Sequence, residues 1–153
     1  SYSAAKFAVK GFTEALIQDL RLNAPHVKAS VVMPGHIGTS IALNYVKNLG
    51  HADAEELSDE EIEEMKEVWI SLGAPVHNYS NDQIRQMVKE RRESFKTNAP
   101  TSAAQAAEII LNGVKEKRWR ILVGDDAKNL DKKVRENPEK AYDPDFVSPF
   151  SIE

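Results

Sequence analysis

Cysteine is absent from all 153 residues, which excludes disulfides and thiolate metal sites and fits a reducing, cytoplasmic setting. Long apolar runs are absent too. None approaches the roughly 18 residues of a membrane span, and no segment reads as a secretory signal. There is no excess of positive charge: Lys and Arg number 20 against 24 Asp and Glu, a net charge of −4. That balance leaves no global basic field to hold a nucleic-acid backbone or an anionic membrane. The seven glycines are scattered, and neither G-x-G-x-x-G nor G-x-x-x-G-x-G occurs, so no phosphate-cradling loop is encoded. His26, His36, His51 and His77 show no metal-ligand spacing and no H-E-x-x-H, so no metal site is expected.

What is present suits one domain with a real core, although 41% hydrophobic and 29% charged residues lean slightly polar for a compact globule. Residues 3–22 read as an amphipathic helix with Phe7, Phe12, Leu16 and Leu20 at helical period, and Pro25 closes it. Gly11 costs about 1 kcal/mol in that helix relative to Ala. A β-branched strand, Lys28 to Met33, is expected next, halted by Pro34-Gly35. Its near-continuous apolar character suits a strand covered on both faces.

Two charged helices follow, each opened by a capping box, Ser58 to Glu61 and Ser80 to Gln83. Ile62, Met65 and Trp69 form the stripe of the first, and Ile84, Met87, Val88 and Phe95 that of the second. Highly charged outside and modestly apolar inside, they fit a surface excursion better than a central core. The acidic run Asp53 to Glu67 and the basic stretch "KERRESFK" read as solvated helix faces rather than a metal cluster or a nucleic-acid patch. A third box, Ser102 to Gln105, opens a helix lined by Ala106, Ile109, Ile110 and Val114. A strand over Trp119 to Val123 ends at Gly124, a short helix runs over about 126–135, and the tail carries Pro138, Pro144 and Pro149. Helix, strand, excursion, helix, strand is the back half of an α/β alternation. Two strands do not make an independent sheet covered on both faces, so a longer architecture is expected.

Tyr2 and Lys6 lie four residues apart at the start of the first helix, a spacing that brings side chains onto one face. An ammonium beside a phenol and the positive end of a helix both favour the phenolate, so such a pair suits proton transfer if it lines a pocket. The spacing alone decides nothing: Y-x-x-x-K arises by chance in roughly one in four chains of this length.

Context adds specificity. "YSAAKFAVKGFTEAL", a strand, then "PGHIGT" closely resembles the C-terminal half of the short-chain dehydrogenase/reductase family, and "RILVGDDA" resembles its last strand. The resemblance covers residues 1 to about 48 strongly and 100 to 128 moderately; 49–98 falls where members of the family differ most. It implies an α/β fold, the C-terminal half of a doubly wound Rossmann-type parallel sheet with a helical lid insertion. Within one such domain, 1–40 would hold the catalytic helix and strand, 41–98 the lid, 99–135 the last helix, strand and short helix, and 136–153 a tail.

The resemblance further implies NAD or NADP as cofactor and hydride transfer to or from a small carbonyl or alcohol substrate. Tyr2 would be the acid/base, and Lys6 would hold the nicotinamide ribose and tune Tyr2. Pro34, Gly35 and Ile37 would edge the nicotinamide, and Thr39 would contact the cofactor amide or phosphates. The glycine-rich loop and catalytic Ser of the family would lie before residue 1, so this stretch alone is expected to bind cofactor poorly. A homodimer or homotetramer through the 3–22 helix is implied as well. Ile41, Leu43, Tyr45, Met65 and Trp69 hint at an apolar substrate, and His36 reads more readily as a loop residue than as a substrate contact. The competing reading is a non-catalytic relative that keeps its helices for oligomerisation or protein binding.

Overall fold

The computed structural model describes residues 2–41, 57–71, 73–143 and 146. The expectations for Leu43, Tyr45, His51, the first part of the acidic run, Pro144 and Pro149 lie outside those residues. The chain divides into two compact units: Ser1–Ile37 with Pro100–Glu153, and Gly38–Ala99.

In the first unit, α1 spans Tyr2–Asn23. Small residues fill its first turn, a Lys10–Glu14 ion pair at 2.8 Å braces its middle, and Arg21 complements the dipole in its last turn. Beyond it, Ala24 and Val27 donate to the carbonyls of Leu20 and Ala24, turning the chain around Pro25. The expected four-residue stripe splits. Leu16, Ile17 and Leu20 are half-buried, whereas Phe7 and Phe12 are 67% and 69% exposed and no α1 residue is buried. At about 100° per residue Phe7 and Phe12 point roughly 140° apart, too far to share one face. α1 packs against β1 through the half-buried side.

β1 (Val31–Pro34) pairs in parallel with β4 (Arg120–Val123), in the register Val31↔Arg120 to Pro34↔Val123. Pro34 therefore ends the strand from inside, where the sequence placed the stop at Met33. The Val31 and Gly35 N–H groups donate to Trp119 and Val123, so alternate residues face β4 and the missing N–H of Pro34 points away from the ladder. Val31, Ile121 and Val123 are buried, but Val32 stays 36% exposed, so full coverage of both faces does not hold along β1.

A second, two-residue ladder joins β2 (Ile37–Gly38) to β3 (Thr101–Ser102), where the chain leaves and re-enters the first unit. Ser102 then caps a helix of Ala103–Lys115. Its hydroxyl accepts the Gln105 N–H at 3.3 Å, and its own N–H donates to Gln105 Oε1 at 2.9 Å. Ala106 and Gly113 of this helix are buried, while Val114, expected on the stripe, is 53% exposed. The helix approaches β4 at Gly113, where Ile121 fills the space a side chain would take. Lys117 turns the chain into β4 with a left-handed φ of 58°, its N–H bonded to Val114 and that of Arg118 to Gly113.

β4 ends at Gly124, whose φ of 97° starts a last helix over Asp125–Glu136. Arg120 is tied to Asp131 of that helix, Nη1 to Oδ2 at 2.9 Å. A 3-10 turn, Glu139–Tyr142, follows. In chain order the helices are α1, α2 (Asp59–Ser71), α3 (Asn81–Thr97), α4 (Ala103–Lys115) and α5 (Asp125–Glu136).

The second unit has a core of its own, Leu57, Ile62, Val76, Ile84 and Val88, against which Met65, Trp69 and Met87 pack. The stripes read from the sequence thus meet each other across α2 and α3. Both capping boxes form, Ser58 with Glu61 and Ser80 with Gln83. Arg85 locks the pair: Nη2 reaches Asp59 at 2.6 Å and the Leu57 carbonyl at 2.9 Å, while Nη1 reaches Asp82 at 2.9 Å. Met65 and Trp69 are partly buried here, and Ile41 is 53% exposed.

Candidate active site

The first turn of α1 brings Tyr2 and Lys6 together. With Ser3, Ala4 and Ala5 between them, nothing bulky intervenes, and the Lys6 ammonium lies over the Tyr2 ring, 5.1 Å from its centroid. Tyr2 is 64% exposed and Lys6 is exposed as well, so both polar tips are open to a ligand.

Pro34, Gly35 and Ile37 belong to the turn at the carboxyl end of β1. That is where ligands bind in open parallel sheets. Two bonds hold the turn: the Gly35 N–H donates to Val123 at 2.9 Å, and the His36 N–H donates to Asp126 Oδ2 at 2.5 Å. A Cβ on Gly35 would fall within the Asp126 carboxyl, and one on Gly124 would meet the same carboxyl and lie 3.0 Å from Thr101 Oγ1. Gly124 is favoured by its positive φ, and a side chain at Gly35 would push the Asp126 carboxylate out of its place. Ile37 is half-buried and packs against the cluster of Ala106, Ile121 and Val123, which leaves its backbone as the part available to a ligand.

Thr39 belongs to the second unit. It is half-buried, and its hydroxyl accepts the Ile41 N–H at 3.4 Å. His36 is half-buried, and His26 and His77 are exposed. Among the described residues no group of three or more His, Asp or Glu is arranged to hold a metal. No helix among them is long and apolar enough to cross a membrane.

An open depression of about 270 Å³ lies beside Thr101, Glu108, Asp125 and Lys128 and includes none of Tyr2, Lys6, Pro34, Gly35, Ile37 and Thr39. Lys128 donates to Asp125 there at 2.8 Å and holds its carboxyl below the usual carboxylate range. Shallow, with its cation already paired, it is a poorer site than the strand-end turn.

Asp126 escaped the sequence reading. Its signal was the "GDDA" that ends the last strand: a glycine able to adopt positive φ, then an acidic first helical turn. Those residues were read only as a strand stop and a helix start.

The parallel β1–β4 pair with its helices makes this an α/β structure, compatible with a partial Rossmann-like fold. Residues 1–50 match the family model for short chain dehydrogenase. Over that stretch the chain is similar to the short-chain dehydrogenase family. It is 31% identical over 131 residues to "Putative oxidoreductase SadH" from two strains of Mycobacterium tuberculosis, an alignment covering 86% of this chain. The match takes in 35% of the length of those curated relatives, so the chain spans about a third of them. No solved structure matches the chain.

Proposed function

We propose that this chain carries the proton-transfer part of the active site of an NAD(P)-dependent oxidoreductase acting on a carbonyl or alcohol. The observation that carries the reading is the Lys6 ammonium over the Tyr2 ring on an open helix face. The family relationship and the name of the relatives support it. The donor set fits a nicotinamide cofactor: an exposed phenol and ammonium, and a strand-end turn of exposed or half-buried residues.

When bound, the nicotinamide supplies or accepts the hydride. Tyr2 gives its proton to the substrate oxygen in reduction and takes one from the hydroxyl in oxidation. Lys6 stabilises the phenolate that results and donates to ribose hydroxyls. Pro34, Gly35 and the Ile37 backbone edge the nicotinamide, and Thr39 contacts the cofactor amide or phosphates. The 41–98 segment acts as the substrate lid, with Ile41 as an apolar contact. The side of α1 that exposes Phe12 serves a homodimer or homotetramer. The same face also suits the second reading, a non-catalytic relative that uses α1 for association.

A fluorescence titration of the full-length protein with NADH and with NADPH tests the proposal. Saturable binding of one or both is expected. Binding of neither contradicts it and favours the non-catalytic reading.

A further inference from the structure

Asp126 is half-buried, with one carboxylate oxygen sealed from solvent. Its carboxylate lies at the ends of two parallel strands, roofing Gly35 on one side and Gly124 on the other. Oδ2 accepts the His36 N–H at 2.5 Å, while Oδ1 is buried with no hydrogen-bond partner among the described residues. Leaving one carboxylate oxygen unsatisfied costs stability, which a mere helix cap would not require. Asp125, one residue earlier, already supplies the negative charge favoured by the first turn of α5 and stands in the open.

The backbone is shaped to put Asp126 there. Gly124 takes a φ of 97°, which turns the chain from β4 into α5 so that the second residue of the helix reaches back over the neighbouring strand. Gly35 leaves the room that the carboxyl occupies. Three residues from two distant parts of the chain thus serve one contact, the fastening of the His36 amide. That amide lies inside the Pro34–Ile37 turn.

We propose that Asp126 is the positioning residue for this turn, fixing the backbone that edges the nicotinamide ring; this rests on the proposed function above. Asp126 itself touches no substrate. It acts through the His36 N–H, holding Gly35 and Ile37 at a fixed height beyond the end of β1. The adenosine end of a dinucleotide lies beyond its influence, so its effect is confined to the nicotinamide half.

The test uses full-length protein carrying Asp126→Ala, Asp126→Ser or Asp126→Asn, with Asp125→Asn as a control that removes the exposed neighbouring carboxylate from the same helical turn. Affinities for NADH, or NADPH if the wild type prefers it, are compared with those for ADP-ribose or its 2′-phosphate, which lack the nicotinamide. Loss of one charge-assisted bond predicts roughly 10-fold weaker dinucleotide binding in the Ala and Ser variants, with ADP-ribose changed less than about 2-fold. Hydrogen exchange of the His36 amide should quicken about 10-fold in the same two variants. Asn keeps a carbonyl of the same reach and should restore most of the affinity, and Asp125→Asn should leave the affinity ratio alone.

If the Ala variant does not fold, the Ser and Asn pair decides. Dinucleotide binding unchanged in the variants, or ADP-ribose weakened in equal measure, overturns the assignment. Wild-type protein that binds neither dinucleotide overturns the proposed function and this assignment with it.

Discussion

Gly113 of α4 and Ile121 of β4 meet so closely that a Cβ on the glycine would lie 2.7 Å from Ile121 Cδ1 and 2.8 Å from Cγ1. Ile121 is fully buried and forms one core with Ala106 and Val123, so neither arm of its branched side chain has room to yield. The helix is drawn onto the sheet at this point, and the Ile37 side of the candidate site packs on the same core.

Gly113→Ala is therefore expected to destabilise the chain. Alanine gains about 1 kcal/mol of helix propensity. Overpacking a filled core costs roughly 1–3 kcal/mol, and the packing term should win by about 1 kcal/mol. Chemical denaturation checks the sign. On an Ile121→Val background the loss should shrink, because the nearest methyl is gone; a loss undiminished there argues against the contact.

Lys117 gives the opposite expectation. A residue with a side chain held at φ 58° in the turn after α4 is strained by about 1 kcal/mol relative to glycine. Lys117→Gly should raise the thermal midpoint, whereas Lys117→Ala should leave it nearly unchanged. An unchanged midpoint in the Gly variant contradicts the strain.

The second unit should depend on acid through Arg85. The hydrogen bond from Arg85, then that from Asn81, holds the Asp59 carboxyl below its ordinary value of 3.8. A carboxylate depressed in the folded state adds stability that is fully present above that value and lost as pH falls through the lower folded one. Arg85→Met should lower the denaturation midpoint at pH 7, and the gap from wild type should narrow as the pH drops below the Asp59 range, leaving the part due to the Leu57 carbonyl. A gap of the same size at pH 7 and in strong acid argues against the pair.

Local signals carried the element order well. The capping boxes at Ser58, Ser80 and Ser102 formed because their partners lie three residues away, within reach of sequence reading. The two strands were found within three residues at either end because β-branched runs between turn residues leave little choice. What sequence could not assign was direction in space. Phe7 and Phe12 do not share the packed face, because five residues of helix set them about 140° apart, and Val114 lies outside the core although Gly113 beside it makes the close approach. Asp126 was missed because its meaning lies in a partner 90 residues away. In the candidate site, the Tyr2–Lys6 approach follows from helix geometry and was legible; the fastening of the Pro34–Ile37 turn was not.

The central claim, that Tyr2 moves the proton, is tested most directly by Tyr2→Phe in the full-length protein, with turnover and NAD(P)H affinity measured side by side. The account predicts turnover reduced at least ~100-fold, the scale of a lost general acid/base, with cofactor affinity within about 3-fold of wild type. Turnover that survives the loss of the phenol contradicts the account.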